Sequence, residues 1–179
     1  SLTAAMSRVN PNLVTGGDMG LGFPSPDTTF EIWIQPEDLS ETPQLIFETG
    51  DPGEGSSILM TSTSARFLHS TGGLNTIDIE VPLLFVSLED FVQIIVSINA
   101  DTGDVTLSVK GSAGGSESTS ANGTVGAPNG RASLFTWSGF GGGVDGAMGG
   151  TGGVAPPGAM TFRGNIGLFK IYDLSLIHI

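Results

Sequence analysis

A chain of 179 residues fits one domain, and folding at that length buries roughly 70% of the surface the unfolded chain exposes. Only 13% of the residues are charged, against about 25% in ordinary domains, and there is no cysteine, which excludes a disordered chain and a disulfide framework. The 18 acidic residues outnumber the 6 basic ones for a net charge of −12, which argues against nucleic-acid binding and anionic membrane surfaces.

No apolar run of 18 residues occurs, so no spanning helix is expected. The first residues, Ser1-Leu2-Thr3-Ala4-Ala5-Met6, lack the basic start and apolar stretch of a leader, as in a fragment or a mature piece. The acidic surface favours solubility, with Ca²⁺ as the ion it would suit.

In chain order, short alternating runs recur between Gly, Pro, Asn and Asp, and sustained helical periodicity is missing, so the chain reads as all-β. Thr28–Gln35 puts Phe30, Ile32 and Ile34 on one face and Glu31, Trp33 and Gln35 on the other, and Pro36 ends the run. Gln44–Glu48, Ser56–Thr61, Ala65–His69 and Thr76–Val81 follow as further strands. The strongest unit is a hairpin, Phe91–Ile98 with Val105–Lys110. Asp101-Thr102-Gly103 in its loop predicts a type I turn closed by a left-handed glycine.

From residue 111 to 130 the chain is rich in Gly, Ser, Thr and Asn and reads as turns, and Arg131–Trp137 reads as a strand. A glycine-rich segment from residue 139 to 158 reads as a surface loop or a functional insert, and Met160–Tyr172 as one closing strand. The tail Leu174-Ser175-Leu176-Ile177-His178-Ile179 looks like the translation of a sequencing-library adaptor, which would make the chain an environmental-sequence fragment. The domain is therefore expected over residues 1–173, with 174–179 outside it.

Three segments together resemble the laminin-G-like, concanavalin A-like lectin/glucanase superfamily. They are Thr29-Phe30-Glu31-Ile32-Trp33-Ile34-Gln35-Pro36, the hairpin from Val92 to Gly111, and Phe162-Arg163-Gly164-Asn165-Ile166-Gly167-Leu168-Phe169-Lys170-Ile171-Tyr172-Asp173. Lys110 departs from the pattern, which usually carries an acid before the glycine. The resemblance implies a jelly-roll sandwich of two antiparallel sheets, with Trp33 packed inside. It also implies a binding or adhesion module of a larger exported bacterial protein, secreted or at the cell surface, whose partner is a glycan or an extracellular protein. Some relatives on this fold are glycan hydrolases or lyases, and a purely structural assembly sandwich is the further alternative.

Candidate chemistry is sparse. Asp78 and Glu80 share one face of a strand about 7 Å apart, the spacing that paired-carboxylate hydrolysis uses. Laminarinase-like relatives carry Glu-x-Asp-x-x-Glu, whose first and third acids are absent here, so two solvated carboxylates is the plainer reading. No catalytic residue is assigned. His69 reads as a surface histidine, and no G-x-S-x-G elbow accompanies it. Asp51 with Glu54, and Asp101 with Asp104, put paired oxygens in tight turns. Asp51 and Glu54 are the candidate Ca²⁺ ligands, against ordinary Asp turn chemistry. For ligand binding the candidates are Trp137, Phe140 and Asp145, at the mouth of the glycine-rich segment, where glycine allows close backbone approach; the plainer role is a tryptophan that pins down a loop.

Overall fold

The computed structural model describes residues 27–40, 43–51, 54–71, 74–84, 90–99, 101–112, 114–125, 137–140 and 160–172. Among them the chain is built of strands alone: β1 Thr28–Pro36, β2 Gln44–Asp51, β3 Glu54–Met60, β4 Ser64–Thr71, β5 Leu74–Pro82, β6 Val92–Asn99, β7 Asp104–Gly111, β8 Ser116–Asn122, β9 Trp137–Phe140, β10 Met160–Thr161 and β11 Gly164–Tyr172. No helix among the described residues is long and apolar enough to cross a membrane.

The strands form two sheets. The five-stranded sheet runs β11-β1-β6-β7-β8, and the six-stranded one runs β10-β2-β3-β4-β5 with β9 also paired to β2. All pairings are antiparallel except the two-residue bridge of β10 to β2. This is the jelly-roll sandwich of two antiparallel sheets that the family resemblance implies, held by a core between the sheets.

Alternation decides which side chains enter that core. In β1, Phe30, Ile32 and Ile34 are fully buried, facing Val92, Ile94, Val96 and Ile98 of β6 and Val105, Leu107 and Val109 of β7 on the same inner side. The opposite sheet contributes Ile46, Phe47, Ile58, Met60, Phe67, Ile77, Ile79 and Val81. Phe47 bridges the sheets: its ring centroid lies 5.6 Å from Phe30 and 4.7 Å from Phe169. A register shift between Leu45 and Phe47 lets Ile46 and Phe47 both join this core, while Leu45 joins Leu59 and Leu68 in a second buried cluster.

Two segments differ from the sequence reading. The polar stretch Ser116–Asn122 is a strand, pairing with β7 from Asp104↔Asn122 to Lys110↔Ser116 at the sheet's edge. Its residues show no apolar alternation because one edge strand with little core contact needs none. The closing segment is split rather than continuous. Met160–Thr161 belongs to one sheet and Gly164–Tyr172 to the other, and Phe162–Arg163 carries the chain across. The crossing is fixed by Arg163 N donating to Gln44 Oε1 (2.9 Å) and Glu37 N donating to Arg163 O (3.0 Å), while Phe162 is buried.

The β6–β7 hairpin forms as its loop predicts. Asn99 pairs with Asp104, and Gly103 takes a left-handed φ of 76°. Gly123 N donates to Gly103 O at 3.0 Å, which ties the end of β8 to this turn.

Candidate functional site

The outward side chains of the five-stranded sheet line up in register across its strands. One row reads Leu168, Trp33, Gln93, Lys110 and Ser116, and the next reads Lys170, Glu31, Ile95, Ser108 and Ser118. Each row crosses β11, β1, β6, β7 and β8 in turn, so residues far apart in sequence meet about 5 Å apart.

Glu31 is the hub. Its Oε1 accepts from Trp33 Nε1 and from Gln93 Nε2, both at 2.8 Å. Its Oε2 accepts from the Tyr172 hydroxyl at 2.5 Å and lies 4.0 Å from Lys170 Nζ. The Tyr172 hydrogen bond is the largest influence holding this carboxyl below the usual range. Trp33, Gln93 and Lys170 add to it, and partial burial opposes it. Both carboxylate oxygens are thus occupied, which orients the indole and the phenol ring on either side of one charged group.

Two surfaces border the hub. On one side Leu168 pairs with Trp33, and Phe91 packs against the neighbouring Gly167, each of the two side chains 38% exposed. A Cβ at position 167 would lie 2.7 Å from the Phe91 ring, so that ring packs where only glycine leaves room. On the other side is a depression of about 310 Å³ lined by Gln93, Ile95, Ser108, Lys110, Ser116 and Ser118, together with Val109 and Glu117. Val109 points into the core and Glu117 pairs with it, so both side chains lie on the opposite face.

Trp33 therefore departs from what the resemblance implies. It lies half-buried on the outer face with its indole N–H on Glu31, not in the core, because Phe30, Ile32 and Ile34 already take the inner side of β1. His69 departs from the surface reading. It is 1% exposed, with Nδ1 2.9 Å from Ser56 Oγ and Nε2 3.1 Å from Thr71 Oγ1. Ala65 and Phe67 precede it at two-residue spacing on the core face, and burial lowers its pKa to about 4. This hydroxyl–imidazole pair has the contact a nucleophile needs but no access, since Ser56 is also 1% exposed.

Asp78 and Glu80 are exposed, as the solvated reading has it. Asp78 takes both Arg66 Nε (2.7 Å) and Nη2 (2.6 Å), and Glu80 accepts from the Ser64 hydroxyl. Asp51 and Glu54 are cross-strand partners where β2 meets β3, and their side chains lie outside the described residues. Among the described residues no three His, Cys, Asp or Glu gather to hold a metal. Trp137 lies in β9, which runs on to Phe140, and the backbone pairs Gly50 with Trp137 and Phe47 with Phe140. The side chains of Trp137 and Phe140, residues 131–136 and Asp145 lie outside the described residues.

No family model matches the sequence, and neither does any curated protein. Solved structures do match in shape. The LG1–3 region of the laminin α2 chain superposes with a TM-score of 0.60 at 13% identity, over 87% of this chain and 29% of that one. The enzymatically active domain of bacteriophage CBA120 tailspike protein 2 gives 0.53 at 15% identity, over 82% of this chain and 22% of that one. The binding domain of botulinum neurotoxin DC in complex with SialylT gives 0.51 at 11% identity, over 84% of this chain and 33% of that one. The chain spans a third or less of each of these proteins. With the strand order and core described above, it has the laminin-G-like, concanavalin A-like jelly-roll fold.

Proposed function

We propose that this chain is a non-catalytic binding module, one domain of a larger exported protein, that takes a glycan on the outer face of its five-stranded sheet. The observation that carries this is the Glu31 hub, which fixes Trp33 and Tyr172 around one carboxylate beside an open depression. A sugar ring has an apolar face and a rim of hydroxyls. An aromatic shelf with preset donors and acceptors answers both, and orientation fixed before binding lowers the entropy cost of the complex.

The fold serves both binding and catalysis elsewhere: one neighbour is a toxin binding domain in complex with SialylT, another a tailspike enzymatic domain. Binding is favoured for this chain because the close carboxylates Asp78 and Glu80 are held by Arg66 and Ser64. The segment carrying Trp137, Phe140 and Asp145 enters the proposal as a second contact, and Asp51 with Glu54 as a Ca²⁺ site near the β2–β3 turn.

A glycan-array screen with and without Ca²⁺ tests the reading, and the same samples are assayed for released sugar. Binding without release is expected. Trp33→Ala should weaken it at least tenfold, since burying a large apolar side chain against the apolar face of a sugar is worth about 1.5–3 kcal/mol. Binding to no glycan in either condition overturns the proposal in favour of an assembly sandwich, and sugar release overturns it in favour of an enzyme. A Trp137→Ala variant with unchanged affinity removes the second contact.

A further inference from the structure

The depression beside Lys110 differs from the rest of the sheet face in what its polar groups do. One row away, Thr106 and Ser120 satisfy each other at 2.8 Å, and Thr29 and Ser97 do so at 3.1 Å. Lining the depression, the hydroxyls of Ser108, Ser116 and Ser118 and the ammonium of Lys110 bond no other side chain among the described residues. The other lysines and arginines among the described residues are committed. Arg66 is held by Asp78 (2.6 Å), Arg163 lies 3.5 Å from Asp38, and Lys170 faces Glu31 at 4.0 Å.

On a chain of net charge −12, an unpaired lysine amid donors is the one local arrangement of described residues that welcomes an anion. On this face of the sheet the nearest described carboxylate, Glu31, lies two strands away, roughly 10 Å, and both its oxygens are already occupied. The Glu117 side chain is on the other face of β8. Serine hydroxyls and a lysine ammonium are all able to donate to one acidic group, whereas a neutral hydroxyl would use only part of that set.

We infer that the depression formed by Lys110, Ser108, Ser116 and Ser118 receives the acidic substituent of the glycan, a carboxylate or a sulfate ester, and so makes the module selective for acidic over neutral sugars. This rests on the glycan reading above and adds the ligand's charge to it.

The test arrays oligogalacturonides beside their methyl esters and sulfated galactans beside unsulfated ones, so that each pair differs in charge on the same backbone. Binding to the charged member of at least one pair, tenfold or more above its neutral twin, is expected, and the pair that responds separates carboxylate from sulfate. Lys110→Gln should erase that preference, Lys110→Glu should reverse it, and Arg66→Gln, on the other sheet, should leave it intact. Lys110 is exposed, so its variants should melt as the parent does. Equal binding of charged and neutral members, or a preference that survives Lys110→Gln, overturns the inference and leaves the glycan reading standing. Binding to none of the array overturns both.

Discussion

His69 is an imidazole sealed in the core and satisfied by two hydroxyls, Ser56 and Thr71. Its pKa is lowered from 6.5 to about 4 because burial penalises the charged ring. Below pH 6.5 the unfolded chain takes up a proton that the folded one refuses, so stability is fully present above 6.5 and is lost as pH falls toward about 4. The loss amounts to about 3 kcal/mol. Glu31 acts in a lower window: its depressed value gives stability above its ordinary 4.5 that is lost as pH falls further. Urea midpoints at pH 7 and 4.5 separate them. The parent should lose stability between these values, and His69→Gln should lose much less; an equal loss in both would mean that the sealed imidazole is not the cause. The sequence carried the signal for this residue, since Ala65, Phe67 and His69 share a two-residue period. Trp33 teaches the same lesson from the other side: its own alternation with Phe30, Ile32 and Ile34 puts it outward, and only the family likeness argued for the core.

Strands were legible wherever one face is apolar. β1, β5, β6 and β7 each show that pattern, and each forms within two residues of its expected ends. β8 was not legible, because Ser116–Asn122 is polar on both faces and draws its order from pairing with β7. Nor was the site. Glu31 and Trp33 were readable as neighbours on one face of β1, but Gln93, Lys110, Lys170 and Tyr172 reach them only through strand order, which no local pattern encodes. The turn that sets part of that order is testable. Gly103 holds φ at 76°, and a Cβ there would lie 2.2 Å from the Gly123 carbonyl oxygen. Gly103→Ala combines a left-handed penalty with a backbone clash and should cost roughly 2 kcal/mol or more. A urea midpoint that does not move would show that the β6–β7 turn and the end of β8 relax freely.

At the scale of the whole molecule, the sandwich separates what holds it together from what it offers to a partner. In the five-stranded sheet β1, β6 and β7 each place one set of residues in the core and the alternate set on the outer face. β6 makes the point within two positions. Ile94 is fully buried between the sheets, while Gln93 beside it donates to Glu31 on the outside. Ile94→Val removes one methylene from a close-packed interior and should cost about 0.5–1.5 kcal/mol, lowering the melting temperature by roughly 1–6 °C. Because the backbone of β6 is clamped by β1 and β7 on both sides, the outer rows should not move, and glycan affinity should stay the same. Gln93→Ala should do the opposite. It frees one acceptor site on Glu31 and removes a wall of the depression, so affinity should fall several-fold while the melting temperature changes little. Calorimetry and binding measured on the two variants together check the claim. If affinity falls with stability in Ile94→Val, the two faces are coupled through the sheet, and the binding surface depends on core packing as well as on its own side chains.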